Sequence, residues 1–148
     1  MKYAYFPGCS LHSTAKEYDI SSRAVANALG IELIEIPDWV CCGATPAHLT
    51  LHLLSLALPV KNLLQAKKLG NYEVATCCAA CFSRLKIANK FMEDDPVHRG
   101  KVEEIVGAKY SGEVKVRHFL DILVNVFGLK NISERVTKKI SGLKVACY

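Results

Sequence analysis

Thr76-Cys77-Cys78-Ala79-Ala80-Cys81 closes one apolar run and opens another. The residues before it, Tyr72 to Thr76, read as a strand. The cysteines read as a turn, and the residues after them as the start of a helix. The chain has seven cysteines in 148 residues, and six of them occupy three tight places. Cys9 follows the apolar run Lys2 to Phe6. Cys41-Cys42-Gly43 follows the run Ile31 to Ile36. Cys77, Cys78 and Cys81 follow the third run. Each place lies just past the end of an expected strand.

Working outward, strands alternate with helical segments. Lys2 to Phe6 is strand one, stopped by Pro7-Gly8. Thr14-Ala15-Lys16-Glu17 has the form of a capping box, so a helix is expected to run to Leu29 and stop at Gly30. Ile31 to Ile36 is strand two. Thr45-Pro46 predicts a helix start, with Pro59 expected to kink or divide the long helix that follows and Gly70 to end it. Ala80 to Met92 is helical, and Asp95-Pro96 opens a helix ending near Gly107. Val114 to Arg117 is strand four. His118 to Phe127 is a helix closed by Gly128, and a short helix follows over about Ile132 to Ile140. Lys144 to Tyr148 reads as a fifth strand. The expected fold is α/β: a mainly parallel sheet flanked by helices, with the cysteine sites at the carboxyl ends of the strands.

Composition narrows the function classes. Apolar residues make up 51% and charged residues 22%, as in a globular domain. The N-terminus lacks the long apolar segment of a signal peptide. The longest apolar stretch, Leu49 to Leu58, is too short for a membrane span. These features predict a cytoplasmic protein with no membrane span. In that compartment, clustered cysteines bind metal or do redox chemistry more often than they form disulfides. The net charge of +5 comes from scattered lysines without interleaved aromatics, so no nucleic-acid partner is expected. Neither a phosphate-binding glycine loop nor a Gly-x-Ser-x-Gly elbow is present.

The cysteine pattern suits a metal cluster. Soft thiolates converging on one point hold iron. Cys78 and Cys81 fall at a helix N-terminus, where the dipole favours thiolate. Adjacent cysteines point their side chains apart, so Cys41-Cys42 suits two irons better than one zinc, and Gly43 can take up a strained turn. Either Cys77 or Cys78 could begin a pair with Cys81; only Cys78 gives the Cys-x-x-Cys spacing, which leaves Cys77 buried beside the site. The alternatives are a lone zinc on a subset of these thiols, or redox-active or structural thiols; either would make the chain a zinc-bound or metal-free interaction domain that scaffolds a thiol-linked redox complex. His48 and His52 sit four apart without a metal-site motif and read as core histidines. His12 and His118 read mainly as supporting residues, with a contact to the cluster or substrate as the alternative. Trp39 reads as a packing lid.

Pro7-Gly8-Cys9, Val40-Cys41-Cys42-Gly43 and Cys78-Ala79-Ala80-Cys81 together resemble the cysteine-rich CCG domain found in the B subunit of heterodisulfide reductase. The stretch from His48-Leu49-Thr50 to Leu58-Pro59, with Asn62, is also similar to that B subunit rather than to its relatives in fumarate or lactate utilisation. The resemblance implies that Cys9, Cys41, Cys42, Cys78 and Cys81 hold a non-cubane [4Fe-4S] cluster. It implies reduction of the mixed disulfide of coenzyme M and coenzyme B (CoM-S-S-CoB), the last step of methanogenesis. It further implies electrons arriving from the C and A subunits of heterodisulfide reductase, and a second CCG domain completing the site. Lys2-Tyr3-Ala4-Tyr5-Phe6 and Lys144-Val145-Ala146-Cys147-Tyr148 share a Lys-x-Ala-x-aromatic pattern. On that basis residues 1–143 are one CCG domain and 144–148 begin a truncated second repeat, with Cys147 a strand residue. One domain alone is expected to be inactive as a disulfide reductase.

Overall fold

The computed structural model describes residues 1–44, 47, 51–70, 73–138 and 140–146. Four strands form one sheet: β1 (Lys2–Tyr5), β2 (Glu32–Glu35), β3 (Val74–Thr76) and β4 (Val116–His118). All the pairings are parallel, and the order across the sheet is β2-β1-β3-β4. The helices between them are α1 (Gly8–His12), α2 (Lys16–Ala28), α3 (His52–Lys68), α4 (Ala79–Asp94) and α5 (Pro96–Val106). After β4 come α6 (Phe119–Asp121), a π-helical segment (Ile122–Gly128) and α7 (Leu129–Arg135). This is the expected α/β architecture.

The sheet divides the core in two because side chains alternate along a strand. Ala4, Phe6, Val74 and Val116 pack on one face with Leu63 of α3 and Leu85 of α4. Tyr3, Tyr5 and Ala75 pack on the other with Ala26 of α2 and Phe119 and Ile122 beyond β4. From β1 the chain steps outward to β2, then crosses back over β1 to reach β3. The winding therefore reverses between β1 and β3, the place where open α/β sheets leave a crevice beyond the strand ends. The turns carrying Cys9 and Cys78 flank that crevice.

Several local expectations are corrected. The Thr14 capping box does not form. Ser10 O accepts from the amides of Ser13 and Ala15, which closes a turn that leaves Ala15 as the N-cap with no side-chain cap. Glu17 and Asp19 in the first turn of α2 supply favourable charge there instead. Pro59 does not divide α3, which runs unbroken from His52 to Lys68. Leu56, Ala57, Val60 and Leu63 are buried on both sides of the proline, so packing holds the two halves in line. Thr45-Pro46 lies outside the described residues.

The helix after β4 is not a single α-helix to Phe127. Ile122 and Phe127 are both buried and five residues apart. In an α-helix they would face different ways; the i to i+5 geometry of a π segment brings them to one side. Gly128, at φ +91°, interrupts the path before α7, which starts at Leu129 and ends at Arg135, earlier than expected. No fifth strand forms over 144–146, where Val145 is 76% exposed rather than laid against the sheet. Cys147 and Tyr148 lie outside the described residues.

One buried polar residue ties α3 to the loop after β2. Asn62 is fully buried. Its Oδ1 accepts from the amide of Val40 at 2.8 Å, and its Nδ2 donates to the carbonyl of Val40 at 2.9 Å. Both backbone groups of the residue before Cys41 are thus fixed by a single side chain. Replacing Asn62 by Ala strands both, which costs about 2–4 kcal/mol from two lost buried hydrogen bonds. Urea unfolding of Asn62→Ala against the parent chain measures that loss directly.

Candidate metal centre

The three cysteine turns meet at one rim, beyond the carboxyl ends of β1, β2 and β3. Gly8 makes the closest approach. Its φ is +75°, which a residue with a Cβ adopts only under strain. A Cβ built there would stand 2.7 Å from Cys81 Sγ. Only glycine lets the β1 turn lie this close to the first turn of α4. Cys9 follows in α1, with its side chain exposed.

Cys41 and Cys42 lie in the loop after β2. Gly43, at φ +76°, turns the chain, and its amide donates to Cys41 Sγ at 3.4 Å. Ala47 and Leu58 crowd the space a side chain at Gly43 would need, at 3.0 and 3.2 Å. Each of the two interacts electrostatically with the other and with a further thiol, Cys41 with Cys9 and Cys42 with Cys81. Cys78 is the N-cap of α4, and Cys81 lies in its first turn.

The contacts form a continuous line. Electrostatic interaction links Cys9 to Cys41, Cys41 to Cys42, Cys42 to Cys81, and Cys81 to Cys78. All five are free thiols, grading from exposed Cys9 to buried Cys42 and Cys81. Among the described residues, no group of three or more His, Cys, Asp and Glu closes on one point as a single-ion site would. The thiols make a row of pairs instead.

Crowding so many thiols sets their protonation. Cys42 is the anion of the group. A hydrogen bond from Cys81, supported by the amides of Ala44 and Cys42 itself, pulls its pKa down to about 6 against the cost of burial. Cys81 is pushed far up because it holds the proton shared with Cys42 and is buried. This overrides the thiolate preference expected at a helix N-terminus. The Gly43 amide favours the Cys41 thiolate, but burial and the nearby Cys42 and Cys9 outweigh it, and Cys41 is raised. A cation supplied to this rim would release those protons.

Cys77 is not part of the row. It faces the opposite side of the sheet, against Tyr5, Leu11 and Ala75. Its Sγ accepts from the Tyr5 hydroxyl at 3.6 Å, and burial raises its pKa. Its carbonyl accepts from His118 Nε2 at 2.9 Å. His118 Nδ1 accepts from the amide of Leu120, which places the ring proton on Nε2. His118 therefore anchors the turn from below, and its ring stands edge-on to Phe82.

Trp39 covers the rim as a packing lid, edge-on to Phe6 and to His12. Its Nε1 donates to Glu35 at 3.1 Å, and His12 Nε2 lies 3.2 Å from the same carboxylate. His52 is not the expected core histidine: it is exposed, at the start of α3, and stands edge-on to Phe91; His48 lies outside the described residues. Sequence reasoning missed an ionic network beside the rim. Arg23 bridges Asp19 at 2.8 Å and Glu35 at 2.5 Å and lies over the Tyr5 ring, whose hydroxyl donates to Asp19. The i, i+4 spacing of Asp19 and Arg23 was its only local signal.

At 33% identity the chain is similar to an 8-methylmenaquinol:fumarate reductase membrane anchor subunit of Wolinella succinogenes, over 99% of this chain and 51% of that protein. A protein of Archaeoglobus profundus, named as like the B subunit of heterodisulfide reductase, is 29% identical over 99% of this chain and 50% of its own length. The B subunit of a ferredoxin/F(420)H(2)-dependent CoB-CoM heterodisulfide reductase of Methanosarcina acetivorans is 23% identical, with the same coverage. The chain thus spans about half the length of the curated relatives it matches. No helix among the described residues is long and apolar enough to cross a membrane. The cysteine-rich domain family called CCG matches residues 3–86, which take in all three cysteine turns, and this chain belongs to that family.

Proposed function

We propose that Cys9, Cys41, Cys42, Cys78 and Cys81 hold an iron–sulfur cluster, and that the chain is the electron-transferring CCG domain of a heterodisulfide reductase B subunit. One observation supports the reading: five thiols from three chain turns lie close enough at the switch point of the sheet to shift one another's ionisation. The donor set fits the group. It is all sulfur, it is graded from buried to exposed, and Gly8 leaves the room that a Cβ would take. The row of pairs, and the adjacent Cys41 and Cys42 within it, suit several irons bridged by sulfide better than one ion. The non-cubane [4Fe-4S] form is the version we favour, with zinc on a subset of thiols as the rival.

When bound, the cluster supplies one-electron transfer to a sulfur substrate. The chain's own residues do the rest. Cys42 is the thiolate already available, and Cys81 and Cys41 give up protons as metal enters. Exposed Cys9 leaves one side of the rim open to substrate, while Trp39 closes the side toward Glu35. The names of two relatives, both CoB-CoM heterodisulfide reductase B subunits, support a mixed disulfide such as CoM-S-S-CoB as the substrate, and the C and A subunits of heterodisulfide reductase are the electron donors in this proposal. They equally leave room for thiol-linked fumarate chemistry. A second CCG domain completes the catalytic site in this reading, so the chain by itself provides the cluster but not turnover.

Anaerobic reconstitution with iron and sulfide is expected to yield broad visible absorbance and about four irons per chain. Colourless protein carrying one zinc would sink the proposal. Cys77→Ala should retain the parent iron content and spectrum, because its Sγ lies on the other face of the sheet, whereas Cys81→Ala should lose both. Equal loss in the two variants would show that the ligand set is wrong. Gly8→Ala should lower unfolding stability by about 1–3 kcal/mol through backbone strain. It should also reduce iron uptake, since its methyl group contests the space beside Cys81 Sγ. Unchanged iron uptake would mean that the close approach does not matter to the site.

A further inference from the structure

Thr76 is the one buried side chain at this rim whose chemistry is unaccounted for. It is fully buried, and its Oγ1 meets no hydrogen-bond partner among the described residues. A buried hydroxyl left unpartnered destabilises the fold and is rare in native proteins. Its position shows which way it faces. Along β3, Val74 packs on the face of α3 and α4, and Ala75 packs on the face of α2. Thr76 continues the alternation onto the α4 face, the face that carries Cys42 and Cys81. It pairs in register with His118 of β4, and the amide of Phe6, just past β1, donates to the carbonyl of Ala75 before it. Thr76 is thus the last strand residue beneath the turn into α4, with Cys78 two residues on.

We infer that the Thr76 hydroxyl donates a hydrogen bond to a sulfur of the iron–sulfur group and so raises its reduction potential. The inference rests on the cluster reading above. A threonine hydroxyl is a donor whose hydrogen rotates freely. Sulfur, as thiolate or sulfide, is the acceptor that the five-thiol rim would bring to that face. A hydrogen bond to cluster sulfur stabilises the added electron, so the reduced state gains more than the oxidised state. Thr76 is then a positioning and tuning residue, not a ligand: its oxygen is hard, and every other donor at the rim is sulfur.

The test compares Thr76→Val, which keeps the shape but removes the donor, with Thr76→Ser, which keeps the donor. The reconstituted chains are titrated anaerobically and followed by electron paramagnetic resonance. Thr76→Val should bind the parent complement of iron but be harder to reduce. The expected change is about tenfold in the reduction equilibrium, equal to about 59 mV for one electron. Thr76→Ser should stay within about twofold of the parent. A Thr76→Val potential equal to the parent's overturns the inference while leaving the cluster standing. Iron-free protein gives a second readout. If the hydroxyl has no protein partner, iron-free Thr76→Val melts at or above the parent temperature. A lower melting temperature would reveal a protein partner and also overturn the inference. Failure of the parent chain itself to take up iron would remove the cluster reading and this inference together, and is told apart by the iron assay alone.

Discussion

Everything at the rim depends on how closely the β1 turn approaches the first turn of α4. β1 and β3 are adjacent in the sheet although far apart in sequence, because the winding reverses between them. Adjacent parallel strands end side by side, so their carboxyl-end turns compete for the same space. Glycine at position 8 settles that competition by having no side chain and by accepting a positive φ. Its place beside Cys81 Sγ brings Cys9, one residue on, to the same end of the sheet as the cysteines of β3. The loop after β2 closes the third side, held there by Asn62 from α3.

Given that geometry, the electrostatics follow. Thiols brought together out of water cannot all ionise, because like charges at contact distance repel and burial penalises each one. The protein settles on one strongly favoured thiolate, Cys42, and a reluctant neighbour, Cys81, which holds the proton between them. Backbone amides do much of the work: Ala44, Cys42 and Gly43 all donate to sulfur in this loop. On the proposed cluster reading, a cation at the rim would stabilise the thiolates that crowding and burial otherwise disfavour.

Most of the architecture is legible in the sequence because its signals are local. Lys2-Tyr3-Ala4-Tyr5-Phe6 stopped by Pro7-Gly8, and Asp95-Pro96 opening a helix that Gly107 closes in the left-handed conformation, need no distant partner to be read. The cysteine turns are legible for the same reason, since each lies in the connection that leaves the carboxyl end of a strand. What misleads is context. Pro59 signals a break, yet the buried leucines around it keep α3 whole. Thr14 signals a cap, yet the Ser10 carbonyl captures the turn first. The network of Tyr5, Asp19, Arg23 and Glu35 spans three elements, and no short window of sequence contains it.

Strand parity is the last constraint, and it decides which of two neighbouring cysteines can serve the rim. Along β3, residues 74 and 76 face α3 and α4, while residues 75 and 77 face α2. Cys77 is therefore committed to the other side, where the Tyr5 hydroxyl donates to its sulfur. Cys78 escapes the alternation only because the chain turns into α4 there, with Cys78 as the N-cap and Cys81 one helical turn on. His118 makes that switch rigid by holding the Cys77 carbonyl. Sliding β3 by one residue would send Cys77 to the rim, turn Thr76 away from it and withdraw Val74 from the core. The two hydrophobic layers thus choose the sulfur donors: the register that buries Val74 and Ala75 on opposite faces is the register that presents Cys78 and Cys81 to Cys42.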